Sequence, residues 1–131
     1  MILVDTNVLI AATHRVHADF DLALNLLTTG GALPVAPHLW RYEYVHVLSR
    51  QARLGKVTFE EATEGFSVAD DFLSRELGAP DFARVFALSK AYTVTGQDAV
   101  FLFWAQALGT PLVTFDKKLR RAAPGLTVAP G

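Results

Sequence analysis

The chain contains no cysteine, which excludes both a disulfide framework and a thiolate zinc site. No apolar run approaches the ~20 residues needed to cross a bilayer. The opening segment MILVDTN has no basic stretch ahead of its apolar residues and meets Asp5 at once, unlike a secretory signal. Charge is scarce: charged residues make up 19%, and 12 basic against 13 acidic side chains leave a net charge of −1. A protein that grips nucleic acid by charge alone carries a strongly basic footprint, and none is present. Any polyanionic substrate must be met by local basic patches, by metal ions or by a partner. Repeats, low-complexity tracts and linkers are also missing. These absences together point to a cytoplasmic protein organised as a single domain over residues 1–131.

What remains is rich in apolar residues, 51% of 131, enough for a densely buried interior. Three short runs read as buried strands: Ile2 to Val4, Leu33 to Ala36 and Leu112 to Thr114. A weaker one spans Leu126 to Ala129. Helical periodicity fills the gaps, over Ala18 to Leu27, His38 to Leu54, Thr58 to Leu77, Phe82 to Tyr92 and Asp98 to Leu108. Thr58 followed by Glu61 has the spacing of a capping box, Pro37 suits a helix start, and Gly55, Gly78 and Gly109 suit helix ends. Strands separated by helices predict an α/β fold, a three-layer α/β/α sandwich around a mainly parallel sheet. The strands lack alternation, as strands covered on both faces do. Open sheets of this kind bind ligands at the carboxyl ends of their strands.

Most of the 13 acids read as solvated. Glu60, Glu61, Glu64, Asp70, Asp71 and Glu76 fall on the polar face of the predicted helix from Thr58, and Asp19, Asp21 and Asp81 lie near helix starts. Four acids are embedded in apolar sequence instead. Asp5 ends the first strand, and Asp116 follows the strand Leu112 to Thr114 with only Phe115 between. Asp98 opens the apolar helix Ala-Val-Phe-Leu-Phe-Trp-Ala. Glu43 lies early in a helix, among Trp40, Tyr42, Tyr44 and Val45. Each aspartate can be read as a helix N-cap, and Glu43 as the partner of Arg41, Arg50 or Arg53. Together, however, the four converge on one edge of the sheet, where carboxylates repel unless a cation lies between them. An all-oxygen donor set suits Mg²⁺ or Mn²⁺ better than zinc.

Val4-Asp5-Thr6-Asn7-Val8-Leu9, a glutamate in an early helix, Gln97-Asp98-Ala99, and Pro111-Leu112-Val113-Thr114-Phe115-Asp116 together resemble the four acidic blocks of the PIN-domain ribonucleases. The similarity runs from residue 2 to about residue 128 and is strongest to VapC-type toxins of bacterial toxin–antitoxin pairs. The resemblance implies a parallel sheet between helices, Mg²⁺- or Mn²⁺-dependent hydrolysis of RNA phosphodiesters, and an antitoxin that blocks the site. Carried over, Asp5, Glu43, Asp98 and Asp116 match the acidic quartet, with Asp5, Asp98 and Asp116 as metal ligands. Asn7 and Thr114 match supporting polar positions. One departure is evident: between Leu77 and Phe82 only Gly78-Ala79-Pro80-Asp81 stand where a middle strand belongs, so that strand is very short or absent.

Lys117, Lys118, Arg120 and Arg121 form the densest basic patch, either a hold on the RNA backbone or a solvated helix face. His14, His17, His38 and His46 match no catalytic position, although His46 is within helical reach of Glu43. Trp40 and Trp104 read as core. The apolar content and aromatic-rich helices predict a homodimer that also binds a small antitoxin. The main alternative is a PIN-like module that grips RNA or protein without cutting. A receiver-type phosphotransfer switch needs an acidic pair after the first strand, and a haloacid-dehalogenase-like phosphatase needs aspartate at position 7. Thr6, with Pro37 at the end of the second strand, argues against the first, and Asn7 against the second.

Overall fold

The computed structural model describes every residue from Met1 to Gly131. Strand β1 (Ile2–Val4) shows how a short strand serves two cores at once. Leu3 and Val4 are fully buried on opposite faces, and the same alternation separates Val35 from Ala36 and Leu112 from Val113. The order along the chain is β1, α1 (Thr6–Thr13), α2 (Phe20–Thr28), β2 (Pro34–Pro37), α3 (Trp40–Arg53), α4 (Phe59–Phe72), β3 (Arg75–Leu77), α5 (Phe82–Tyr92), α6 (Gly96–Leu108), β4 (Leu112–Val113), α7 (Lys117–Ala122) and β5 (Thr127–Val128). All pairings are parallel, in the order β3-β2-β1-β4-β5.

That order dictates the layers. The chain steps from β1 outward to β2 and β3, then returns across the sheet to β4 and β5. Right-handed crossovers therefore put α1 to α4 on one face and α5 to α7 on the other. The two cores agree: one gathers Val8, Leu9, Leu27, Trp40, Tyr44 and Ala69, the other Val85, Leu88, Phe101, Leu102 and Leu119. This is the expected three-layer sandwich. The strand order reverses between β1 and β4, and such a switch point leaves a crevice at the carboxyl ends of both strands. No helix is long and apolar enough to cross a membrane.

Two expectations are corrected. The chain forms a helix over Thr6–Thr13, where no helix was predicted. Val8 to Ala12 is one unbroken apolar run, so no polar position inside it marks a helical period, although Val8, Leu9, Ala11 and Ala12 share the buried face. The helix predicted from Thr58 to Leu77 ends at Phe72, and Arg75–Leu77 is the missing middle strand. The capping box at Thr58 and Glu61 is present as predicted. At the other end Leu73 turns to an extended conformation, and both the backbone N–H and the hydroxyl of Ser74 donate to the Pro34 carbonyl at 2.9 Å. Pairing with β2 overrides the helical propensity of Arg-Glu-Leu.

The core beneath α3 and α4 is aromatic. Trp40 and Phe66 stack with centroids 5.0 Å apart, and Tyr44 meets both edge-on. Gly65 lets α4 approach this closely, because a Cβ there would lie 2.5 Å from the Tyr44 hydroxyl and 3.0 Å from His14.

Candidate active site

Four helices, α1, α3, α6 and α7, begin at the carboxyl edge of the sheet around the β1/β4 switch point. Their amide dipoles direct partial positive charge there. Into this setting the chain places four acids. Asp5 leaves the end of β1 and caps α1, its Oδ1 accepting from the Thr6 N–H at 2.7 Å. Asp116 follows β4 and caps α7, its Oδ1 accepting from the Leu119 N–H at 3.0 Å. Glu43 lies in the first turn of α3 and Asp98 in the first turn of α6. The cap of α6 is Thr95, whose hydroxyl accepts from the Asp98 N–H at 3.1 Å, so Asp98 is not itself the cap. Asp5 and Asp116 are thus helix caps as well as the acids at the ends of β1 and β4.

Thr114 ties the two strand ends together. Fully buried, its hydroxyl donates to Asp5 Oδ2 at 2.7 Å and accepts from Asn7 Nδ2 at 3.1 Å and the Asp116 N–H at 3.0 Å. One donor and two acceptor positions are a hydroxyl's full complement. Asn7 completes the clamp, its Oδ1 accepting from the Phe115 N–H at 3.2 Å and its Nδ2 reaching Asp5 Oδ2 at 3.4 Å. Sequence reasoning missed Thr6, whose hydroxyl donates to Glu43 Oε1 at 2.6 Å and joins the α3 acid to the β1 end. Its place between Asp5 and Asn7 was the available signal.

Glu43 pairs with none of Arg41, Arg50 or Arg53, and His46 is exposed and makes no bond to it. None of the four acids forms an ion pair. The electrostatic consequence is strongest at Asp5, which keeps some surface open but is otherwise enclosed. Desolvation, opposed by the Thr114 and Thr6 hydrogen bonds and reinforced by the charges of Glu43 and Asp98, raises its pKa from 3.8 to about 7. Glu43 is raised by burial and by Asp98, against the Thr6 hydrogen bond. Asp98 is raised by burial and by Asp116. Asp5, Glu43 and Asp98 each feel the charge of another acid, so these three titrate as a coupled set.

The donors are all oxygens, with no histidine or cysteine among them, which matches a hard divalent cation. The uncompensated negative charge fits the same conclusion. As the side chains stand, no three acids close on a common point at ligand distance. Each is turned instead toward a hydroxyl or an amide.

In the basic patch, Arg120 is committed, donating from Nη1 to the Thr114 carbonyl at 2.6 Å and bracing the turn that carries Asp116. Lys117, Lys118 and Arg121 are exposed and form no ion pair.

A second set of acids corrects the sequence reading. Glu76, expected on a solvated helix face, stands on β3 and accepts from Trp40 Nε1 at 2.7 Å, from Arg41 Nε and from His38 Nδ1 at 2.9 Å. Asp70, on the same expected face, accepts from Arg41 Nη2 at 2.5 Å. Burial would raise Glu76, but the hydrogen bonds from His38, Trp40 and Arg41, with the Arg41 charge, hold it below the usual carboxylate value.

No curated protein is significantly similar to the chain. Among solved structures, the crystal structure of PAE2754 from Pyrobaculum aerophilum superimposes with a TM-score of 0.77 at 25% identity, covering 98% of this chain and 89% of that one. The PIN domain family matches residues 2–124, nearly the whole length of the chain. On that match, with a fold shared at a TM-score of 0.77, the chain belongs to the PIN domain family.

Proposed function

We propose that this protein is a metal-dependent endoribonuclease, with Asp5, Glu43, Asp98 and Asp116 as its catalytic acids. Asp5, Asp98 and Asp116 hold Mg²⁺ or Mn²⁺ in this reading, Glu43 completes the negative pocket, and Asn7 and Thr114 orient Asp5. The observation that carries it is Asp5: a carboxyl at the switch point, raised to about 7 with no cationic side chain beside it. PIN domains are generally nucleases, and charge left uncompensated in a crevice is where a cation and a phosphate are expected.

A divalent ion bound there supplies positive charge to the phosphate oxygens and acidifies a water nucleophile. The protein's own part is to fix the acids before substrate arrives. Thr114 holds Asp5 in one orientation, Thr6 does the same for Glu43, and Arg120 braces the β4 turn. Glu43, raised by burial and by the charge of Asp98, is suited to accept the proton that water loses. Lys117, Lys118 and Arg121 on exposed α7 are placed to neutralise flanking phosphates, while Arg120 contributes there only by leaving the Thr114 carbonyl.

The finer biology follows the resemblance to VapC-type toxins. In this reading the protein is a cytoplasmic toxin whose RNA cleavage is blocked by a cognate antitoxin. The protein also pairs with a second copy of itself, as the bare aromatic Phe86 on α5 (79% exposed) supports. Purified protein is expected to cut RNA with Mg²⁺ or Mn²⁺ and to stop in EDTA. Cleavage that persists in chelator overturns the metal chemistry.

One observation favours the alternative of a non-catalytic RNA- or protein-binding module: no three acids yet meet at a point. An RNA cleavage assay with Mn²⁺ separates the readings, since a module without catalysis leaves the RNA uncut whether or not an ion binds at the acids.

A further inference from the structure

Apart from the four acids, three polar side chains form a chain of hydrogen bonds where α1, α3 and α4 pack together. Tyr44 is 1% exposed, and its hydroxyl lies 2.8 Å from Thr13 Oγ1 and 2.9 Å from His14 Nε2. The protons can be placed. Thr13 donates to the Leu9 carbonyl at 2.9 Å, so it accepts from Tyr44, and the Tyr44 oxygen in turn accepts from His14. His14 therefore carries a proton on Nε2. Burial, opposed by the charge of Glu61 and aided by that of His17, keeps its pKa below the ordinary 6.5, so the ring is neutral at pH 7.

Packing alone does not call for this arrangement. Phenylalanine at position 44 would fill the same space, and a hydroxyl in an apolar core costs free energy unless its partners are met. What the hydroxyl adds is direction, because apolar contacts tolerate sliding and hydrogen bonds do not. The room for it comes from α4, where Gly65 lacks the Cβ that would lie 2.5 Å from the Tyr44 oxygen.

The neighbours of this chain show what is being directed. Thr6 and Thr13 are seven residues apart on α1, so they share one side of that helix, about 10 Å apart along its axis. Both are bonded to α3, Thr6 to Glu43 at 2.6 Å and Thr13 to Tyr44. Glu43 and Tyr44 are consecutive, so a turn or slide of α3 that moves one moves the other. The Thr6 bond is the only one that the Glu43 carboxylate makes.

We propose that Tyr44 and His14 are positioning residues for Glu43: their hydrogen bonds at the far end of α1 hold α3 at the rotation that seats the Glu43 carboxylate on Thr6. This inference rests on the reading of Glu43 as a catalytic acid, and it extends the machinery to residues that touch neither metal nor substrate.

The test pairs an NMR signature with kinetics on the full chain. The carboxyl carbon of Glu43, observed at a pH where it is ionised in every variant, reports the Thr6 bond without metal or substrate, and Thr6→Val gives the signal for its loss. Tyr44→Phe and His14→Leu are expected to shift this signal the same way as Thr6→Val. Each should also lower kcat for RNA cleavage in Mn²⁺ about tenfold with KM little changed. His14→Gln, whose amide donates to Tyr44 as Nε2 does, should restore both. Val85→Ala, which loosens the core on the opposite face of the sheet, is the control for lost stability and should leave both unchanged. Long-range proton–nitrogen correlation should show His14 with its proton on Nε2.

If the parent cuts no RNA, the nuclease reading falls, and the carboxyl signal alone still decides whether Tyr44 and His14 seat Glu43. The proposal is overturned if Tyr44→Phe leaves the Glu43 signal, or the kcat of a parent that cuts, at the parent value. It is likewise overturned if Val85→Ala shifts them as far as Tyr44→Phe does, or if His14 carries its proton on Nδ1.

Discussion

Two sets of carboxylates stand at the same edge of the same sheet and have been treated oppositely. At β3, Glu76 is surrounded by Arg41, Trp40 and His38, and its pKa is held down. At β1 and β4, Asp5, Glu43 and Asp98 meet hydroxyls, amides and one another, and their pKa values are pushed up. The first arrangement is internally complete and locks β3 onto α3 and α4. The second is not, and its missing component is positive charge. The same fold satisfies the half-buried Glu76 fully and leaves the other set without a cationic partner.

The comparison can be broken most forcefully at Asp98. Replacing it with Asn should lower cleavage by at least about a hundredfold, since even residues that merely support metal ligands commonly matter ten- to a hundredfold. The same variant should be more stable than the parent without metal, by on the order of 1 kcal/mol, because one repelling charge is removed. Activity assays paired with thermal melts in EDTA check both. Asp98 serves better here than Asp5, both of whose oxygens accept hydrogen bonds that an amide nitrogen could not.

At the completed site the sign reverses. Glu76→Ala should cost about 1–3 kcal/mol, because the fully buried Trp40 loses the acceptor of its indole N–H and Arg41 loses its innermost partner. Its Mg²⁺-induced rise in melting temperature should match the parent's, since the metal site is untouched.

The pH dependence of metal-free stability should separate the two regions as well. Asp5 binds its proton more tightly when folded, so its contribution favours the fold at acid pH and is lost as pH rises from about 4 to about 7. Glu76 binds its proton less tightly when folded, so its contribution is present above 4.5 and is lost only as pH falls through its lowered value. Denaturant melts from pH 4 to 8 in EDTA should therefore show declining stability across that window, and saturating Mg²⁺ should flatten the decline.

The smallest effect is expected at Thr6. Thr6→Val keeps the shape but removes the hydroxyl from Glu43, and Mn²⁺ affinity measured by calorimetry should fall about tenfold with little change in fold.

The sequence showed the open site more clearly than the closed one, and the reason is physical. Asp5, Glu43, Asp98 and Asp116 stand out because each interrupts an apolar segment, and burial of an unpaired charge is rare enough to notice. Glu76 and Asp70 sit among other charges in a stretch that scans as a solvated helix, and only the tertiary approach of Arg41 distinguishes them. The short edge strand of Arg75–Leu77 was hidden for the same reason, since its half-exposed polar residues carry no strand signature. Helix α1 was hidden by the opposite excess, a run so apolar that no face could be told from another. Thr6 shows a further limit: a hydroxyl's partner 37 residues away leaves no trace in local sequence.

The most direct measurement of the central claim is the titration of the Asp5 carboxyl carbon by NMR, with and without Mg²⁺. Without metal it should titrate near 7, and saturating Mg²⁺ should drive the proton off and carry the midpoint well below that value. A midpoint near the ordinary 3.8 in EDTA, or one near 7 that Mg²⁺ leaves unmoved, would contradict the account of this pocket as an incomplete site waiting for a cation.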